Sequence, residues 1–250
     1  MHFLPECRLC GRHAELRDSH VIPKTFFTQL KKSGPALLAH DDILFRNRAT
    51  QDSWSQRLLC SPCEQRLSIW EEYAIEVLRR PSRKKVIVRK KAWEWEFFNV
   101  DYATFRLFQL SVLFRAAVST RVEYEHVRLD SKTVERMQYL LNSAEPPAEN
   151  EFPCLMEAIW SPSQTGRLYT QVIGAPRTLP IGPQLYYWFV FGGFCWYYVF
   201  PKLSQVELTY NSYLSRGGYM RVPALHVHEH PWLSIGVVKT ALKTEAGWQV

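Results

Sequence analysis

Two cysteine pairs have a spacing with chemical meaning. Cys7-x-x-Cys10 and Cys60-x-x-Cys63 can each present two thiolates from a tight knuckle, and four thiolates close a tetrahedral zinc site. A closed site leaves no coordination position for chemistry, so the zinc is expected to be structural and any reaction must come from groups it organises. Six cysteines in 250 residues are too few for a disulfide scaffold; in a reducing, cytoplasmic setting the paired spacing points to metal. Cys154 and Cys195 lie in apolar stretches and read as core cysteines. His20, in Asp18-Ser19-His20-Val21-Ile22-Pro23-Lys24, standing alone reads as a structural histidine of a strand, although an ordinary imidazole pKa near neutrality would also suit a general base. Glu64 follows the second knuckle directly, and Asp18 and Asp52 are the other nearby carboxylates. Oxygen donors of this kind suit a hard divalent ion such as magnesium. Glu64 has a plainer alternative, because a carboxylate in the first turn of a helix complements its dipole. His226-x-His228-x-His230 could put three imidazoles on one strand face, as a metal site or as an exposed strand end.

The elements that must position these groups follow from periodicity. Residues 63–80 place Leu67, Trp70, Tyr73, Ala74, Val77 and Leu78 at spacings of three and four, which predicts an amphipathic helix starting at the second knuckle and ended by Pro81. Two further helices are expected over 102–119 and 131–142, the latter capped by Asp130 or Ser131. Arg106 and Arg115 sit in the otherwise apolar first of these, reaching phosphate or snorkelling. A Pro-rich turn at 145–150 precedes strands expected over 154–160, 168–173, 184–200 and 206–214. Residues 185–200 hold no charge, yet Pro183 and Pro201 bracket them and Gly192-Gly193 divides them. That pattern predicts a buried β-hairpin rather than a membrane span.

Composition agrees with a folded chain: 46% hydrophobic and 14% aromatic residues exclude collagen-like, coiled-coil and disordered classes. MHFLPECRLC has no basic start followed by an apolar run, so no secretory signal is expected. Residues 1–91 hold 18 Lys and Arg against 10 Asp and Glu, a net of +8, whereas the remainder nets −1. Much of the excess is one run, Arg79, Arg80, Arg83, Lys84, Lys85, Arg89, Lys90 and Lys91, to which Lys24 adds. Such a field attracts nucleic acid; the plainer reading is a solvated strand-and-turn edge around Val86-Ile87-Val88. No nucleotide-cradling GxxxxGK[ST] motif is present.

Taken together, CRLCGRHAELRDSHVIPK, RATQDSWSQRLLCSPCEQRLSIWE and LFQLSVLFRA resemble bacterial HNH, or ββα-metal, endonuclease-like proteins. The resemblance is specific over residues 5–78. It implies an α+β chain: an HNH-like zinc-binding nuclease domain over 1–91, a helical region over 92–150 and a β-rich region over 151–250. It further implies that His20 activates water against a nucleic-acid phosphodiester, most readily DNA. Glu64 with Asp18 or Asp52 would hold one magnesium or manganese ion, and Lys24 and the 79–91 cations would contact the backbone. Ser19 stands where the family has Asp or His, Glu64 where it has His, and Ser55 where it has Asn. These departures leave a second expectation open, an inactive zinc-stabilised nucleic-acid-binding or adaptor protein. Mobile elements and anti-phage defence are the setting the family implies. The C-terminal half would serve as a sensor, a homodimer surface or a site for a protein partner.

Overall fold

The computed structural model describes residues 4–32, 37–39, 53–91, 93–161, 164–170, 172–200, 213–227 and 229. Their architecture is mixed α+β. Strand β1 (Leu16–His20) pairs antiparallel with a later strand, β3 (Ser55–Cys60), in a two-stranded sheet that sets His20 opposite Ser55 and Leu16 opposite Cys60. A register shift between Arg17 and Asp18 bends β1 just before the histidine. The short helix α1 (Lys24–Lys32) follows β1 past Pro23.

Helix α2 (Ser61–Arg79) leaves β3 without a connecting loop. Pro62 in its first turn needs no hydrogen-bond partner for a missing N–H, and Cys63, Leu67, Trp70, Ala74, Val77 and Leu78 form its buried stripe. Helix α3 (Tyr102–Val118) starts at Asp101, whose side chain accepts from the Thr104 amide at 2.7 Å. Every residue from Phe105 to Ala116 is buried, so α3 is a central helix rather than a surface one. It packs on α2, on helix α4 (Ser131–Ser143) and on the large sheet. Of the two caps expected for α4, Asp130 serves, accepting from the Thr133 amide at 2.9 Å.

Nine described strands make the large sheet. Besides β2 (Leu37–Ala39) they are β4 (Ile87–Lys90), β5 (Glu94–Phe98), β6 (Cys154–Ser161), β7 (Gln164–Leu168), β8 (Val172–Ile181), β9 (Gln184–Phe191), β10 (Phe194–Phe200) and β11 (Met220–His226). Their order is β2-β8-β9-β10-β6-β11-β5-β4, with β7 beside β6. The hairpin expected over 184–200 is present as β9 and β10, and Gly192 (φ +67°) and Gly193 (φ +86°) supply the left-handed turn. Its Phe189, Phe191, Phe194, Trp196 and Tyr198 are consumed in the core of this chain. The strand expected over 168–173 is instead the junction of β7 and β8, with Tyr169 and Thr170 outside both. Most of the 206–214 expectation lies outside the described residues; Leu214 forms an isolated bridge to Met220.

One core cluster runs from Cys7 to Ala224 and crosses both boundaries drawn from the sequence, at 91 and at 150. Strands β4 and β5 join the C-terminal sheet through β11, and α4 reaches back to the first knuckle. No described helix is long and apolar enough to cross a membrane.

Candidate metal centre and the charged cluster beside it

The Sγ atoms of Cys7, Cys10, Cys60 and Cys63 all lie within 4.8 Å of one another, with Cys10 and Cys60 at 3.7 Å. Zn–S bonds of about 2.3 Å in a tetrahedron need sulfurs about 3.8 Å apart, so four-cysteine ligation fits. The chain builds the group from two directions. The first knuckle is a tight turn in which the Gly11 amide bonds the Cys7 carbonyl at 2.9 Å, and Gly11 takes φ +71°. The second is the last residue of β3 and the first turn of α2, and the Cys60 amide points at Cys7 Sγ from 3.3 Å. Burial raises the Cys7 thiol, but the amides of Cys10, Cys60 and Leu9 outweigh it and bring the pKa down to about 7. Burial raises Cys60 and Cys63, and neighbouring thiols add to this at Cys63. A bound dication removes that opposition, since a coordinating thiol is deprotonated. Helix α4 fixes the knuckle: Gln138 Nε2 donates to the Arg8 carbonyl at 2.7 Å and Asn142 Nδ2 to the Leu9 carbonyl at 2.8 Å.

Beside the cysteines, Ser19 is buried and its hydroxyl donates to Oε1 of Glu64. Desolvation therefore raises the Glu64 pKa, with Arg115 and the Ser19 bond opposing and Glu71 adding to it. Glu71 lies seven residues after Glu64 on α2 and forms a 2.5 Å ion pair with Arg115 of α3. Only 1% of the Arg115 side chain is exposed, and its Nε also donates to the Ser111 carbonyl at 3.2 Å. His20 ends β1 half-buried, with Nε2 2.9 Å from Ser53 Oγ and its ring 6.5 Å from that of Phe27. Burial, then Lys24, then Arg115 lower its pKa from 6.5, against Glu71 and the Asp18 carbonyl. His20, Glu64, Glu71 and Arg115 thus share one electrostatic neighbourhood built from β1, α2 and α3.

The family resemblance pointed to His20 and Glu64 but not to Glu71 or Arg115 as their companions. The signals were two glutamates seven apart on one helix and an arginine in the last turn of a largely apolar one. Arg106 serves elsewhere, since its guanidinium donates to Gln109 Oε1 and to the carbonyls of Glu151 and Phe152 and so holds the turn before β6. Asp18 faces solvent, 3.9 Å from Arg57, and Asp52 lies outside the described residues. Among the described residues the cysteines are the one group of three or more His, Cys, Asp or Glu close enough to share an ion. His228 and His230 lie outside the described residues, while His226 Nδ1 is 2.9 Å from the Ser161 carbonyl. Cys154 and Cys195 are buried, and burial pushes the Cys154 thiol up to about 12.

The basic run is divided by the β4–β5 pairing. Lys90 lies opposite Trp95 and Val88 opposite Phe97, toward the core side; Arg89 lies opposite Glu96 on the other face. There Arg89 covers the Phe98 ring at 4.8 Å, while Lys91 pairs with Glu94 and Glu96 at 3.0 and 3.1 Å. Arg79 lies over Phe26 at 5.0 Å and Lys84 over Tyr73 at 5.9 Å. Arg83 is 3.6 Å from Glu76, Lys85 occupies a left-handed turn, and Arg80 and Lys24 are exposed. No protein-family model, curated protein or solved structure matches this chain in the three comparisons made.

Proposed function

We propose that the chain is a metal-assisted phosphodiester hydrolase of the HNH type acting on nucleic acid, DNA foremost, with a four-cysteine zinc site as its scaffold. The observation supporting this most is the neighbourhood of His20: a half-buried imidazole kept neutral at the end of a strand whose partner runs straight into the helix bearing Glu64 and Glu71. A neutral imidazole can accept a proton from water, which would take the place of the Ser53 hydroxyl 2.9 Å from Nε2. Ser19 engages one oxygen of Glu64 and Arg115 one of Glu71, so each carboxylate keeps a second oxygen as a hard donor. These two residues would hold a magnesium or manganese ion, which when bound stabilises charge on the leaving oxygen. Arg115 offsets the acids that would otherwise repel the phosphate. The test is incubation of supercoiled plasmid and single-stranded RNA with the zinc-loaded protein, with magnesium, with manganese or with neither, beside His20→Ala and Glu64→Gln. Divalent-dependent cleavage absent from both variants is expected. Cleavage that persists in His20→Ala overturns the assignment of the base.

A second reading has its own support. Glu64 is engaged by Ser19 and drawn toward its neutral form, as suits an inactive zinc-stabilised adaptor. That reading requires nucleic-acid binding without cleavage under every metal condition.

A further inference from the structure

Between the end of α2 and the inner face of β4 and β5 lies a half-open groove of about 390 Å³, lined by Val77, Arg79, Pro81, Val88, Lys90 and Trp95 among others. Its lining includes two cations and no carboxylate. We propose that this groove binds one unpaired nucleotide of a single nucleic-acid strand, so that the substrate of the proposed hydrolase is single-stranded or locally opened. This rests on nucleic acid being the ligand, as argued above.

The pairing register separates the cations that face the groove from those that do not. Lys90 reaches across the Trp95 ring, 4.1 Å from its centroid, and Arg79 stands at the opposite wall over Phe26. Arg89 and Lys91 lie on the far face among Phe98, Glu94 and Glu96. Apolar walls between two cations suit a base flanked by its phosphates. A paired base cannot enter such a slot without leaving its stack, whereas an unpaired base can. Trp95 is 4% exposed, so its ring forms part of a fixed apolar wall under Lys90. At the β4–β5 turn Trp93 is 68% exposed, a ring on which the neighbouring base can stack.

The experiment uses zinc-loaded full-length His20→Ala protein without magnesium, so that binding is read free of cleavage. Fluorescence anisotropy compares a short labelled single strand with its duplex across a salt series. The single strand should bind tighter. Arg79→Gln and Lys90→Gln should each weaken it and flatten its salt slope by about 0.7. Trp93→Ala should cost about fivefold or more. Arg89→Gln and Lys91→Gln should cost clearly less than Lys90→Gln, and Lys90→Arg should restore affinity if the Gln variant has lost it. Equal affinity for duplex, or equal losses from Arg89→Gln and Lys90→Gln, overturns the groove alone. If neither nucleic acid binds, the groove and the proposed function fall together. A strand bound as described but never cut by the unsubstituted protein removes the hydrolase and leaves the groove.

Discussion

Arg115 is a buried charge in a largely apolar helix, and its 2.5 Å partner Glu71 is 19% exposed. Removing one member of a buried pair strands the other, at a cost of about 3–5 kcal/mol; removing both costs much less. Arg115→Met should therefore destabilise the fold by roughly that amount, and Arg115→Met with Glu71→Gln by clearly less. Urea titration of the four proteins of this cycle measures the coupling, and additive losses would dismiss the pair as a unit. His20 and Glu64 titrate with opposite consequences. His20 has its pKa lowered, so the unfolded chain binds more protons between the folded value and 6.5. Its contribution to stability is complete above 6.5 and is lost as pH falls through the folded value. Glu64 has its pKa raised from 4.5; its contribution is complete below 4.5 and is lost as pH rises through the folded value. A histidine NMR titration should find His20 below 6.5, and Lys24→Gln should move it upward without restoring it, because burial is the larger cause. A value at or above 6.5 would contradict burial as the dominant influence on the imidazole.

At the scale of elements, the β9–β10 turn meets α1. A Cβ on Gly192 would stand 2.6 Å from Phe26 Cε1 at φ +67°, whereas Gly182 at φ +57° has nothing within 4 Å. Both alanine variants incur the left-handed strain of about 1–2 kcal/mol, but only Gly192→Ala must also displace Phe26 from Phe191 and Arg79. Gly192→Ala should lose at least about 1 kcal/mol more than Gly182→Ala in urea, in line with the cost of overpacking. This hairpin was legible in the sequence because glycine and proline punctuate it. The β7–β8 junction at Tyr169-Thr170 has neither, so it read as strand. Helix α2 was legible from a local stripe, and the four-cysteine cluster from local spacing. Arg115 was not, because its partner Glu71 is 44 residues away and the packing of α3 on α2 joins them. The basic run was legible as charge. Its division needed the β4–β5 register, and the acids that engage Lys91 lie just beyond the run.

Across the whole molecule, the cysteine centre is tied to nearly everything else. Its second knuckle begins α2, α2 packs on the buried α3, and α3 supports the sheet through Phe105 and Phe108 against Trp196 and through the Tyr198 hydroxyl on the Gln109 carbonyl. Helix α4 in turn holds the first knuckle through Gln138 and Asn142. Zinc binding to four thiolates contributes about 10–16 kcal/mol in small zinc-dependent folds, comparable to or above the roughly 5–15 kcal/mol of a whole domain. With the largest core cluster of the described residues running from Cys7 to Ala224, loss of the ion should not release the N-terminal third by itself. We expect one zinc per chain by elemental analysis and a single thermal transition, which a chelator shifts downward as a whole. Cys63→Ser should reproduce that shift. Gln138→Ala, which removes only a bond from α4 to the knuckle, should lower the midpoint modestly, by about 1 kcal/mol equivalent, and keep the zinc. Calorimetry with and without chelator decides the matter. Two separate transitions, with the sheet melting independently of zinc, would show that the shared core does not couple the metal centre to the rest of the fold.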